Sequence, residues 1–313
     1  MTVLSVRMST RDVAAALLVI LLWGLNFVPT KYALGELTAL QLGAARFLLA
    51  AFPLVLLVPR PRLPVGWILL YALTQGVGQY GFLFFALNAG MTAALASVLM
   101  QTQIFFTALL GVTLLGERLS LALRAGMLMA AGGVACFAIS FFSDSAAGAM
   151  GALGFMLVLI AASLWATSNI VVKKIQVAGL AYSPLSLVVW SSLVSGVTFA
   201  LLSLGVDDPA TRRVWLEAPP GVWLALLYLG WGGNGLAFWL WTVLLTRYPA
   251  SHVAPFSLGI PVIGLMAGIV LLGEKLTALQ WLGTALVLSA LIFVVLSSVR
   301  SFGLMMQRYG RRD

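Results

Sequence analysis

Apolar residues fill this chain in long blocks, each cut by a short cluster of charge, proline or glycine. A helix that crosses the hydrocarbon core of a bilayer needs about 20 such residues. Ten blocks approach that length and are predicted as spans, at roughly 12–34, 39–58, 66–88, 92–115, 121–142, 150–173, 184–205, 221–245, 251–272 and 278–299. The stretch from Leu63 to Gly116 carries no charge and is too long for one span. Its single turn-like cluster, Asn88-Ala89-Gly90-Met91-Thr92, divides it. Between 59 and 65, three prolines deny helix and two arginines keep the segment out of lipid. The first block follows Arg7 and Arg11 as a leader would. It outruns the apolar core of a signal peptide, about 7–15 residues, and is expected to remain as the first span.

One phrase occurs twice. Leu114-Leu115-Gly116-Glu117-Arg118-Leu119-Ser120 closes one block, and Leu271-Leu272-Gly273-Glu274-Lys275-Leu276-Thr277 closes another 157 residues later. A glycine follows each at the same offset, Gly126 and Gly283. Other pairs agree: Trp23 with Trp165, Asn26 with Asn169, Lys31 with Lys173, Trp67 with Trp223. A fixed self-offset near half the chain length marks an internal duplication. The predicted halves are 1–146 and 147–300, with a basic tail at 301–313. Lysines and arginines give the orientation. Thirteen fall in loops on one side and four on the other, with Arg46 inside a span. The richer side is expected to be cytoplasmic, with both termini inside. Five spans per half is an odd number, so the halves insert upside down. The fold class is therefore all-α membrane, ten transmembrane helices as two inverted five-helix repeats around a central cavity, an arrangement suited to alternating access.

Composition supports this class. Of 313 residues, 62% are hydrophobic and 9% charged, with mean hydropathy +1.06. A soluble domain carries about 25% charged residues. Net charge +9 would suggest nucleic acid in a soluble protein. Here the cations sit in short loops and the tail, so the charge reads as topology; the expected partners are the lipid bilayer and a small molecule. Cys136 is the one cysteine and cannot form an internal disulfide. One histidine, and no metal-ligand or nucleophile–base pattern, argue against a cofactor, a metal site and an enzyme.

Polar groups within spans are costly unless they line water or pair inside the bundle. Arg46 is the sharpest candidate: a cation for a substrate carboxylate, against a snorkelling or structural role. Lys31 can snorkel more easily, and topology alone explains Lys173 and Lys174. Gln75, Gln79 and Tyr80 share the third span. Gln101 and Gln103 in the fourth lie about 200° apart on a regular helix, so both are not expected to face one narrow cavity. Asn26, Asn169 and Asn234 divide between cavity and interhelical bonds. Trp67, Trp223 and Trp281 read as interface anchors. Trp23, Trp165, Trp231, Trp239 and Trp241 sit deeper, as cavity wall or as packing. Glycines at 76, 78, 81 and at 230, 232, 233, 235 suggest close packing or bending in spans three and eight, with Gly232→Leu expected to abolish transport. Pro255 and Pro261 predict kinks in span nine without counterparts in span four. No Asp or Glu is expected within a span, which weakens a cationic-drug/proton antiporter.

Trp23-Gly24-Leu25-Asn26-Phe27, Ala45-Arg46-Phe47, Ala86-Leu87-Asn88-Ala89-Gly90 and the two Leu-Leu-Gly-Glu phrases together resemble the drug/metabolite transporter superfamily, EamA-type exporters above all. The resemblance covers about 12–299. It is strongest to bacterial inner-membrane exporters of amino acids, of the cysteine/O-acetylserine and aromatic types. It implies a two-bundle fold, a central cavity and outward transport of small zwitterions. Within that frame the candidate substrate-binding residues are Arg46, Trp23, Asn26, Gln75, Gln79, Tyr80, Gln101, Trp165, Asn169, Trp231 and Asn234. Alternatives are an exporter of hydrophobic drugs, an importer of metabolites, and a non-transport scaffold or enzyme.

Overall fold

A computed structural model describes residues 8–143, 148–248 and 250–309. The predicted boundary between the halves at 146/147, Asp144 and Ser145 of the expected link, and Arg7, Arg311 and Arg312 lie outside the described residues. Secondary structure among the described residues is helical throughout, with no strand. Nine described helices are long and apolar enough to cross a membrane: α1 Thr10–Leu34, α2 Ala39–Leu57, α3 Val65–Asn88, α4 Ala93–Leu115, α5 Leu121–Phe142, α6 Met150–Val177, α7 Pro184–Val206, α9 Pro255–Leu272 and α10 Ala278–Ser297. Between α7 and α9 the chain is helical over 220–247, here α8. Four glycines and Asn234 in its middle dilute its hydropathy relative to the others. The helix of α10 continues to Tyr309, so the segment from 301, expected as a separate tail, starts as helix.

Local chemistry fixes the helix ends. Thr38 opens α2 with a capping box: its hydroxyl accepts from the Gln41 N–H while Gln41 Oε1 accepts from the Thr38 N–H. Thr92 caps α4 and Ser183 caps α7 ahead of Pro184. The repeated phrase ends α4 and α9 in the same way. Gly116 and Gly273 adopt left-handed φ of 67° and 66°, which a Cβ would strain.

Several helices are irregular midway. Residues Ala72–Gly78 of α3 and Tyr228–Leu236 of α8 are π-helical. Met100–Thr102 of α4 and Ala254–Leu258 of α9 are 3₁₀ turns. Span four is thus interrupted like span nine, without a proline at the break. Prolines therefore do not set the difference between the halves that the sequence suggests. Carbonyls loosened in the π segments find side-chain donors. Ser195 Oγ donates to Ala72 O at 3.2 Å, and Trp23 Nε1 to Gly233 O at 2.9 Å.

Packing brings like-numbered elements of the two halves together. α2 lies along α7, α4 against α9, and α5 along α10. At the last crossing a Cβ on Gly133 would meet Gly283 O at 2.8 Å, and one on Gly283 would meet Gly133 O at 2.9 Å. Further contacts come in matching pairs: α3 with α6 and α1 with α8, α4 with α6 and α1 with α9, and α2 with α8 and α3 with α7. The largest buried apolar cluster joins α3, α4, α5 and α6 with residues of α9 and α10.

Candidate functional site

The two helix-ending glutamates each fold back over their own helix. A Cβ on Gly111 would lie 2.5 Å from Glu117 Oε2, and one on Gly268 2.5 Å from Glu274 Oε2. Glycine six residues before each glutamate makes this room. Glu274 then reaches the N-terminus of α4. Its two oxygens accept from the N–H groups of Ala93 and Ala94 at 2.8 Å each, and Lys31 Nζ lies 2.8 Å from Oε1. A carboxylate on a helix N-terminus satisfies orphan donors and the dipole together. At the other end of the bundle Lys173 pairs with Glu117 at 3.0 Å. Lys31 and Lys173 are therefore partners of the twin phrases, beyond a topological role. The Glu274 side chain is 5% exposed and that of Glu117 44%. The carboxylate is thus sealed at the first end and open to solvent at the second.

Between these ends lies a cavity of about 430 Å³. Its floor holds Phe27, Leu83, Ser97 and Met100, and its walls reach Tyr71, Val188, Trp241 and Ser257. The wall residues come from the ends of α3, α7, α8 and α9 that lie with Glu117, so the cavity extends toward the open end. Among the described residues no charged side chain lines it.

Nine of the eleven candidate residues come together on this wall: Trp23, Asn26, Gln75, Gln79, Tyr80, Gln101, Trp165, Asn169 and Asn234. Gln103 lines it too, against expectation, because the 3₁₀ turn rewinds α4 beside it. It accepts from Asn169 Nδ2 at 2.9 Å and from Thr107 Oγ1 at 3.4 Å. Gln75 Oε1 accepts from Ser168 Oγ. Gln79 is 3% exposed, and its Oε1 has no partner among the described residues. Among the deep tryptophans Trp241 also lines the cavity, packed on Trp23 with ring centroids 5.5 Å apart.

Two candidates lie elsewhere. Trp231 is 51% exposed on the outer surface, as is Trp239 at 52%. Its Nε1 donates to Leu49 O at 2.9 Å and Phe52 O at 3.1 Å. The ladder partner of Leu49 O would be Pro53, which has no N–H, so Trp231 mends the break in α2. Arg46 stands behind the wall, 1% exposed. Its Nη2 donates to Asn234 Oδ1 at 3.0 Å and Tyr80 Oη at 3.3 Å, its Nη1 to Asn26 Oδ1 at 3.4 Å. Its guanidinium carbon lies 4.4 Å from the Tyr80 ring centroid. The glycines of α8 permit this. A Cβ on Gly230 would sit 2.8 Å from Leu49 Cβ and 3.2 Å from Arg46 O, whereas one on Gly232 meets nothing nearer than 3.7 Å. The tight glycine is thus Gly230.

The sequence reading missed the serines of α7, Ser191, Ser192 and Ser195, which line the cavity and are buried. Serines spaced along one side of an otherwise apolar span were the available signal. It also missed Asp12, which lies within the first turn of α1, 8% exposed, contrary to the expectation of no acid in a span. Asp12 accepts from Arg247 at 2.9 Å and from the Tyr248 hydroxyl at 2.7 Å, tying α1 to the end of α8.

The model of the EamA-like transporter family matches this chain over residues 11–139 and 152–296. A protein of Escherichia coli named as a probable amino-acid metabolite efflux pump is 41% identical, over 91% of this chain and 94% of its own. A protein of Salmonella typhimurium with the same name is also 41% identical, over 97% and 99%. A solved structure described as the crystal structure of a protein is 19% identical, with a TM-score of 0.59 over 92% of this chain and 98% of that one, which bears on the fold alone.

Proposed function

The chain belongs to the EamA-like transporter family, and on that footing we propose that it exports amino acids or related small zwitterionic metabolites by alternating access. The cavity lining carries this reading. At about 430 Å³ it falls within the roughly 300–1,000 Å³ of small-molecule sites. It combines tryptophan faces for an apolar side chain with neutral amides and hydroxyls for polar ends. The two bacterial relatives, named as amino-acid metabolite efflux pumps, support the substrate class.

The transport geometry is part of the proposal. Ten spans form two inverted halves, with α8 as the tenth. Reciprocal contact of Gly133 and Gly283, and the pairing of α2 with α7, α4 with α9 and α5 with α10, are what a two-fold axis between repeats produces. Lysine and arginine excess supports a cytoplasmic Glu117 end in a bacterial inner membrane. The cavity then faces the cytoplasm and the Lys31–Glu274 latch closes the outer end. Substrate enters from inside, and exchange of the sealed and open ends releases it outside. The buried acid Asp12 sits at the cytoplasmic end, away from the cavity wall, so it gives no direct proton–substrate exchange there.

Proteoliposomes loaded with single labelled amino acids test the proposal. Release of one or more, slowed at least tenfold by Trp165→Ala or Asn234→Ala, is expected. Efflux of hydrophobic dyes with no amino acid released would replace it with the drug-exporter reading.

A further inference from the structure

We propose that Arg46 presets a carboxylate-binding cradle without touching the substrate. Three wall residues from three helices, Asn26, Tyr80 and Asn234, give their oxygens to one guanidinium behind them. A guanidinium can only donate, so it must hold the amide oxygen of each asparagine rather than the nitrogen. Each Nδ2 is then the free end. Neither Nδ2 makes a hydrogen bond among the described residues. Neither is among the sealed, unpartnered polar atoms, which are Arg46 Nε, Gln79 Oε1 and Thr284 Oγ1. Both residues line the cavity, so both NH₂ groups open onto it. The Tyr80 hydroxyl accepts from Arg46 and keeps its own proton to donate. The wall therefore offers a cluster of donors with their acceptor sides already taken.

The charge has the same sense. No acidic side chain pairs with Arg46 among the described residues. The cation polarises the amides and hydroxyl bonded to it, and no charged side chain among the described residues of the cavity lining offsets it. A carboxylate is the matching ligand group. Arg46 is a positioning residue in this scheme, acting through the two asparagines and the tyrosine.

The inference rests on the amino-acid reading above, and its test separates the two. Purified protein in detergent is titrated calorimetrically with each of the twenty L-amino acids. Every ligand found is then compared with its methyl ester and its decarboxylated amine. The wild type should favour the free acid at least tenfold. Asn234→Asp keeps the oxygen on Arg46, now as an ion pair, but replaces the donor with a second anionic oxygen. It should fold at least as stably as wild type in thermal unfolding and lose the preference for the acid. Arg46→Gln should lose the preference too, with Arg46→Lys restoring part of it. Binding of none of the twenty would overturn the amino-acid reading. Equal binding of acid and ester by wild type, or undiminished preference in Asn234→Asp, would overturn the cradle alone.

Discussion

Removing the Glu274 carboxylate should open the N-terminus of α4, and the structure sets the size of the effect. Glu274→Ala deletes two hydrogen bonds of 2.8 Å to the N–H groups of Ala93 and Ala94 and the partner of Lys31. Hydrogen bonds to charged groups are worth about 1.5–3 kcal/mol each, and breaking a buried ion pair costs about 3–5 kcal/mol. These overlap, because the same desolvated oxygens serve both, so about 4 kcal/mol is the expected loss. Glu274→Gln keeps one acceptor oxygen and turns an NH₂ against the other N–H, for about 2 kcal/mol. Lys173→Ala at the open end removes an exposed pair and should cost about 0–1 kcal/mol. Hydrogen–deuterium exchange of the amides from Ala93 to Leu99 reads the difference. At 1.4 kcal/mol per decade, Glu274→Ala should speed opening there by roughly a thousandfold. Lys173→Ala should leave it within about tenfold. Equal protection of that segment in Glu274→Ala and wild type would refute the claim that this carboxylate holds its end of the bundle shut.

Other outcomes follow from single contacts. Gly76→Ala puts a Cβ 1.9 Å from Ser195 Oγ and should cost about 1–3 kcal/mol of stability, recovered in large part by adding Ser195→Gly; thermal unfolding of the single and double variants checks the coupling. Gly230→Ala should impair folding or transport while Gly232→Ala leaves both near wild type, read by membrane yield and amino-acid efflux; the reverse order would contradict the packing of α8 on α2. Trp231→Phe should lower stability by about 1 kcal/mol through its two hydrogen bonds to α2 and spare the efflux rate per folded molecule, whereas Trp241→Ala should raise the KM for export.

Much of the fold was legible because lipid imposes a simple rule on the sequence. Block length gave the spans, and charge in 59–65 or a turn cluster at 88–92 gave their ends. The twin Leu-Leu-Gly-Glu phrases ended helices as read, since only glycine is at ease with φ near +66°. Side-chain direction was less legible. One extra residue in a turn shifts the phase of all that follows by about 100°. The π segment of α8 therefore carries Trp231 outward while Asn234 stays on the wall. The 3₁₀ turn of α4 shifts the phase in the opposite sense, with 3.0 residues per turn in place of 3.6, and both Gln101 and Gln103 line the cavity. Arg46 stood out as a buried cation, but its place behind the wall depends on Asn26, Tyr80 and Asn234, each from a different helix. Likewise Gly111 and Gly268 gained meaning only once Glu117 and Glu274 were seen to fold back over them.

The interruptions themselves point to where function sits. Backbone that departs from the α-helix within a membrane is tolerated where it is buried in protein or lines a cavity. Six departures occur among the described residues, and the five in α1, α3, α4, α8 and α9 each give the cavity a residue at the break: Asn26, Gln75, Gln101, Asn234 and Ser257. The regular helices α6 and α7 line it as well, while among the described residues α5 and α10 give it none and pack on one another. The break in α2 at Pro53 is the exception, and there Trp231 supplies the missing donor from outside. The cost of irregular helix is thus concentrated around one solvent-sized space. Loosened carbonyls there are held by Ser195 and Trp23, side chains that themselves line it. A scaffold built only for stability would gain by straightening these helices. Irregularity gathered on a single cavity, between one buried ion pair and one exposed one, is what the proposed alternating access would require of its wall.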